Sequence, residues 1–180
     1  DRPDLFAHPG ARIADLDTEG DPRRRHAQEG GPDHDLPVVG ELVLEKKVPV
    51  LGLCVGLQLM TRGSEEGTEA GLGWFDAETI RFKFDAEHAH LKIPHMGWNE
   101  IHVRREHPLV NGLLDDSRFY FVHSFHVVAK DTEAVLAETE YGVTIHSILG
   151  KGNIVGAQFH PEKSHKFGLQ LLKNFAERVS

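Results

Sequence analysis

The clearest patterning lies in the C-terminal three-quarters of the chain. Val48-Pro-Val-Leu-Gly-Leu53 is a short apolar run of the kind that forms a strand buried on both faces of a parallel sheet. Val55 to Arg62 reads as a short helix stopped by Gly63. Further strand candidates occupy 78–84, 99–104, 118–128, 133–139, 143–148 and 153–159. The chain closes with a helix from Ser164 to Val179, where Phe167, Leu171, Phe175 and Val179 recur every four residues and Leu172 and Ala176 widen the apolar face. Strands interleaved with helices predict an α/β fold, an open and mostly parallel doubly wound sheet. Such sheets bind ligands at the carboxyl ends of their strands. No internal repeat is present.

The first 37 residues differ: they hold five of the nine prolines and sustain neither a period of 2 nor one of 3.6, so they predict no strand or helix. Their Arg, Pro, Gly, Asp and His bias resembles GC-rich DNA translated in a wrong frame, and the chain starts at Asp1 rather than Met. The expectation is an atypical segment over 1–40, disordered or arising from a frameshifted or partial gene model, followed by one folded domain over 41–180.

Composition narrows the function classes. The longest apolar stretch, Val48 to Met60, is broken by Gly52, Gly56 and Gln58, too short and interrupted to span a bilayer. Asp1-Arg2-Pro3-Asp4 shows no basic-then-apolar signal-peptide pattern. A single cysteine allows no internal disulfide and suits a reducing cytoplasm. With 20 basic and 28 acidic side chains the net charge is -8, and Arg23-Arg24-Arg25 is the only basic run, which argues against a nucleic-acid binder.

Candidate chemistry centres on Gly52-Leu-Cys54-Val-Gly56-Leu-Gln58. A glycine two residues to either side of a nucleophile, between strand and helix, is a nucleophile elbow with sulfur in place of oxygen. The glycines permit a tight turn where side chains would strike neighbouring backbone. The helix dipole favours the thiolate, the reactive form. Taken alone, Cys54 is equally a small buried hydrophobe. A thiol nucleophile needs a base, and the base an orienting group. Phe159-His160-Pro161-Glu162 supplies both: His160 ends a strand on the edge of the sheet that carries Cys54, and Glu162 can take the Nδ1 proton so that Nε2 faces sulfur.

Gly-x-Cys-x-Gly-x-Gln followed about a hundred residues later by His-Pro-Glu resembles the class I (triad) glutamine amidotransferases, which have a flavodoxin-like sheet. Gly71-Leu-Gly-Trp74, Pro94-His-Met-Gly-Trp-Asn99, Phe119-Tyr-Phe-Val-His-Ser124 and His160-Pro-Glu-Lys-Ser-His165 are similar to the glutaminase subunit of imidazole glycerol phosphate synthase. The resemblance covers 41–180. It implies Cys54, His160 and Glu162 as the triad, and Gly52 and Val55 in the substrate site, with the Val55 N–H at the oxyanion. It implies that Gln58 contacts bound glutamine and that His123, Ser124 and Phe125 line its pocket. Met96, Trp98, Tyr120 and Lys163 match positions facing a (β/α)8-barrel synthase subunit, where ammonia crosses within a heterodimer. From residue type alone they read as a core Met, a core Trp, a strand Tyr and a surface Lys. No metal or organic cofactor is implied.

The family also carries a hydrophobic first strand and a Pro-Gly-Val-Gly segment that donates a second N–H to the oxyanion. Neither pattern appears here; His8-Pro-Gly10 and Gly30-Gly31-Pro32 lack the apolar flanks. The sheet is therefore expected to have a bare hydrophobic edge. A partner-binding remnant without its oxyanion hole is the alternative reading. Among the 13 histidines, His88 and His90 are expected to share a strand face and His123 and His126 to point to opposite faces, neither with a third metal ligand. An α/β-hydrolase-type cysteine enzyme would share the elbow but gives no reason for Gln58 or His-Pro-Glu.

Overall fold

The computed structural model describes residues 12–14, 35–114 and 116–179. In chain order they form β1 (Arg12–Ala14), α1 (Asp35–Gly40) running into a π-type turn over Glu41–Glu45, β2 (Val50–Leu53), α2 (Val55–Leu59), β3 (Ala77–Arg81), β4 (His95–Glu100), β5 (His102–Val103), β6 (Arg118–His123), β7 (Phe125–Ala129), β8 (Val135–Glu140), β9 (Thr144–Lys151), β10 (Ile154–Ala157) and α3 (His165–Arg178).

A six-stranded sheet runs β1-β2-β10-β9-β8-β5, and β3–β7 and β4–β6 form separate two-stranded antiparallel pairs. The α/β class is as expected, but parallel pairing is confined to β1-β2-β10; β10-β9, β9-β8 and β8-β5 are antiparallel. The connections explain the β9-β8 and β10-β9 pairings. Gly142 and Gly152 take φ of 67° and 59° in the short links that precede β9 and β10, and links of two or three residues join only antiparallel strands.

Alternation along the central strands builds a core on each face. Val50 of β2, Leu149 of β9 and Ile154 of β10 join Leu57, Met60, Phe75 and Val127 on one side. Leu51, Leu53, Ile148, Val155 and Ala157 join Phe119, Phe121, Phe159, Leu171 and Phe175 on the other. Leu171 and Phe175 are the α3 stripe read from the sequence. Gly156 lets α2 lie against β10, since a Cβ there would sit 2.6 Å from Leu57 Cδ1.

Three expectations change. The run 118–128 is two strands, because the chain bends at Ser124: β6 pairs with β4 and β7 with β3. The run 99–104 likewise divides, its first strand starting earlier at His95. Within 1–37, which predicted neither strand nor helix, α1 begins at Asp35, and β1 lies parallel to β2 in the register Arg12↔Val50, Ile13↔Leu51 and Ala14↔Gly52, so that edge is covered over those residues. Three residues are too few to show a period; β1 is defined by its neighbour.

Candidate active site

The turn from β2 into α2 consists of Cys54 alone. It takes φ 49° and ψ -104°, a conformation costly for a side-chain-bearing residue, on the order of 1–3 kcal/mol. The Cys54 N–H donates to the Ala157 carbonyl at 2.8 Å, so the end of β10 holds the elbow shut. Gly52 is obligatory: a Cβ there would lie 2.7 Å from Gly56 C and 2.8 Å from Leu57 N, both backbone atoms that cannot step aside. Val55 follows as the first residue of α2, whose N–H has no acceptor within the helix.

His160 lies just beyond β10, the parallel neighbour of β2, where Leu53 pairs with Ala157. The sheet therefore carries thiol and imidazole at the same edge. His160 is 5% exposed, and its N–H donates to Tyr120 O at 2.9 Å. Its Nδ1 is 2.8 Å from Glu162 Oε1. A carboxylate there accepts, so Nδ1 carries the proton and Nε2 keeps its lone pair. Pro161 opens the turn that brings Glu162 back to the ring, and Ser164 ties that turn to β6: its Oγ donates to the His160 carbonyl and accepts the Tyr120 N–H.

Gln58, on α2, is buried and donates through Nε2 to Phe125 O at 3.0 Å and to Gln158 Oε1 at 3.3 Å. Gln158 in turn donates to Cys54 Sγ at 3.8 Å. The sequence reading missed Gln158; its signal is a fully buried amide closing the apolar run Ile154–Phe159.

His123 donates from Nδ1 to the same Phe125 carbonyl at 2.7 Å, and its Nε2 accepts from His95 Nδ1 at 3.2 Å. Burial pushes His123 down to about 3 and His95 to about 4, so both rings are neutral near pH 7. Ser124 is half-buried, its carbonyl taking the Phe82 N–H, and the Phe125 ring lies under the Arg81 guanidinium at 5.6 Å.

His123 and His126 do not diverge as expected. The bend at Ser124 resets the alternation, and both rings pack on Phe82, at 5.3 and 4.7 Å between centroids. His88 and His90 lie in a turn rather than on a strand, bonded to Asp85 and the Glu87 carbonyl. Among the described residues no three potential ligands are grouped to hold a metal ion.

Met96 and Trp98 are not core residues: they are 62% and 47% exposed on β4. Trp98 pairs across strands with Tyr120, the rings edge to face at 6.1 Å, and stacks flat on His165 at 5.2 Å. Lys163 is exposed on the turn after His160. His8-Pro-Gly10 and Gly30-Gly31-Pro32, the places compared with the second oxyanion segment, lie outside the described residues.

A nucleophile elbow beside a His-Pro-Glu turn on an α/β sheet defines the class, and a profile of the family "Glutamine amidotransferase class-I" matches residues 30–179. The solved glutamine amidotransferase of Thermotoga maritima shares the fold, with TM-score 0.51 at 18% identity over 84% of this chain and 67% of that one. More narrowly, imidazole glycerol phosphate synthase subunit HisH 2 of Pseudomonas aeruginosa is 47% identical over 80% of this chain and 70% of its own length. The protein of that name from Methanococcus maripaludis is 44% identical over the same shares. The chain belongs to the class I glutamine amidotransferases and, within them, to the HisH glutaminase subunits of imidazole glycerol phosphate synthase, enzymes of histidine biosynthesis. The matched region begins upstream of Glu41, and no helix of the described residues is long and apolar enough to cross a membrane.

Proposed function

We propose that Cys54, His160 and Glu162 carry out the glutaminase reaction. The observation behind this is the thiol at a strained elbow on β2, with a Glu162-bonded imidazole following the adjacent strand β10. His160 Nε2 takes the Cys54 thiol proton, the resulting thiolate attacks the side-chain carboxamide carbon of glutamine, and the Val55 N–H helps hold the oxyanion. His160 Nε2–H gives its proton to the departing nitrogen as the C–N bond breaks, releasing ammonia and leaving a glutamyl thioester. Water then attacks with His160 as base, and glutamate leaves. Both Nε2 protons of Gln58 are engaged, so what it offers glutamine is its Oε1, an acceptor suited to the substrate's ammonium group.

Ammonia is passed to a (β/α)8-barrel synthase subunit that makes imidazole glycerol phosphate and AICAR, the two chains forming a cytoplasmic heterodimer. The docking face is the patch of Met96, Trp98, Tyr120 and Lys163. In its support, the Tyr120 carbonyl holds the His160 N–H, so the patch adjoins the site of ammonia release. A partner-binding remnant is not favoured, given the identity to HisH proteins over most of the chain.

Cys54→Ala tests the assignment. Glutamine hydrolysis in the presence of the synthase subunit should be abolished, while added ammonium still drives the synthase reaction. Turnover of glutamine by Cys54→Ala would overturn it.

A further inference from the structure

Gln158 has no part in the three-residue mechanism, yet its side chain is among the most constrained in the molecule. It is fully buried, and its backbone N–H is held by Ser147 O at 2.9 Å. The next residue, Phe159, is wedged against Phe119 at 3.9 Å between ring centroids. The direction in which the amide faces is fixed from outside. The Phe125 carbonyl can only accept, so the Gln58 group 3.0 Å from it is the NH2. The other proton of that NH2 goes to Gln158 at 3.3 Å, which must present oxygen. The NH2 of Gln158 is then left facing Cys54 Sγ at 3.8 Å, within reach for a donor to sulfur. The other approach to the Phe125 carbonyl is taken by His123 Nδ1–H at 2.7 Å, itself held from behind by His95. A flipped Gln158 amide would set oxygen against sulfur and NH2 against NH2 among buried side chains, leaving those groups unmatched.

We propose that Gln158 is a positioning residue for the nucleophile: its amide, locked by Gln58 and the Phe125 carbonyl, donates a hydrogen bond to Cys54 Sγ that holds the sulfur in one orientation and favours its thiolate. A donor aimed at the charged form of an acid stabilises that form, most where water cannot compete. The same lock unites two tasks, since Gln58 steadies the Gln158 amide while its own Oε1 faces the glutamine pocket. The inference rests on Cys54 being the nucleophile.

Two variants assayed with the synthase subunit present separate this role from plain packing. Because Cys54 is the only cysteine of this chain, alkylation by iodoacetamide, followed by the mass of this chain, reports on that thiol alone. Gln158→Glu keeps an acceptor for Gln58 but replaces the donor at sulfur with a carboxylate. Alkylation and kcat should both fall about tenfold or more, with KM changed little. Gln158→Met fills a similar space with no amide; alkylation and kcat should fall likewise, and KM should rise because Gln58 loses a partner. A role confined to supporting Gln58 would spare Gln158→Glu, so a wild-type kcat and alkylation rate in that variant overturns the proposal. If Gln158→Glu does not fold, wild-type alkylation in folded Gln158→Met overturns it as well. Failure of the nucleophile reading looks different: alkylated wild-type enzyme would keep its glutaminase activity.

Discussion

Cys54 holds a backbone conformation that most residues avoid because three neighbours leave it no other. Gly52 passes within contact of the Gly56 carbonyl, Ala157 takes the Cys54 N–H, and Leu57 fills the space left by Gly156. Gly52→Ala should therefore harm both stability and chemistry. The new methyl meets backbone at 2.7 to 2.8 Å, so the turn itself must move. Overpacking of this kind typically costs about 1–3 kcal/mol. A displacement of the sulfur by about 1 Å should lower kcat about a hundredfold. Thermal unfolding and steady-state glutaminase assays check the two effects; wild-type values in both would mean that the elbow is looser than its geometry.

At the scale of elements, the turn after β10 joins site and surface. The His160 N–H and Ser164 hydroxyl clamp it to Tyr120 on β6, and Trp98 sits opposite Tyr120 on β4. Trp98→Ala should weaken binding of the synthase subunit about thirtyfold or more, the loss usual for a central aromatic anchor, with little effect on folding because the ring is half exposed. Titration calorimetry against the synthase subunit measures it, and an unchanged Kd would place the docking face elsewhere. The residues proposed for the triad, and Gln58, could be picked out in the sequence because an elbow between two glycines and a His-Pro-Glu turn are local devices with fixed spacing. Gln158 was not, since its meaning depends on Gln58 and Cys54, a hundred residues away. The pairing of His123 with His126 on Phe82 was also hidden: a one-residue bend at Ser124 reverses the facing of all that follows, and a continuous apolar pattern does not reveal it.

For the molecule as a whole, the buried histidines set the response to acid. Burial holds His95 and His126 at about 4 and His123 at about 3, against an unfolded value near 6.5. Between pH 6.5 and about 4 the unfolded chain binds more protons than the folded one, so stability rises with pH across that window and is lost as pH falls. His107 and His146 are lowered too, and act in the same direction. The melting temperature should therefore drop on going from pH 7.5 to 5.0, before the carboxylates titrate; a flat or rising profile would mean that these rings reach water in the native state. The sequence by itself determined the class of fold, the elbow and His-Pro-Glu motifs that carry the proposed triad, and the apolar face of the last helix, because each rests on local spacing or on the period of one element. The tertiary structure alone decided which strands run parallel, that β1 joins β2, that Met96 and Trp98 face outward, and that the buried Gln58 amide meets Gln158, whose own amide faces the sulfur. Those features depend on which distant segments meet, and a hydrophobic pattern records that a face is buried without recording what covers it.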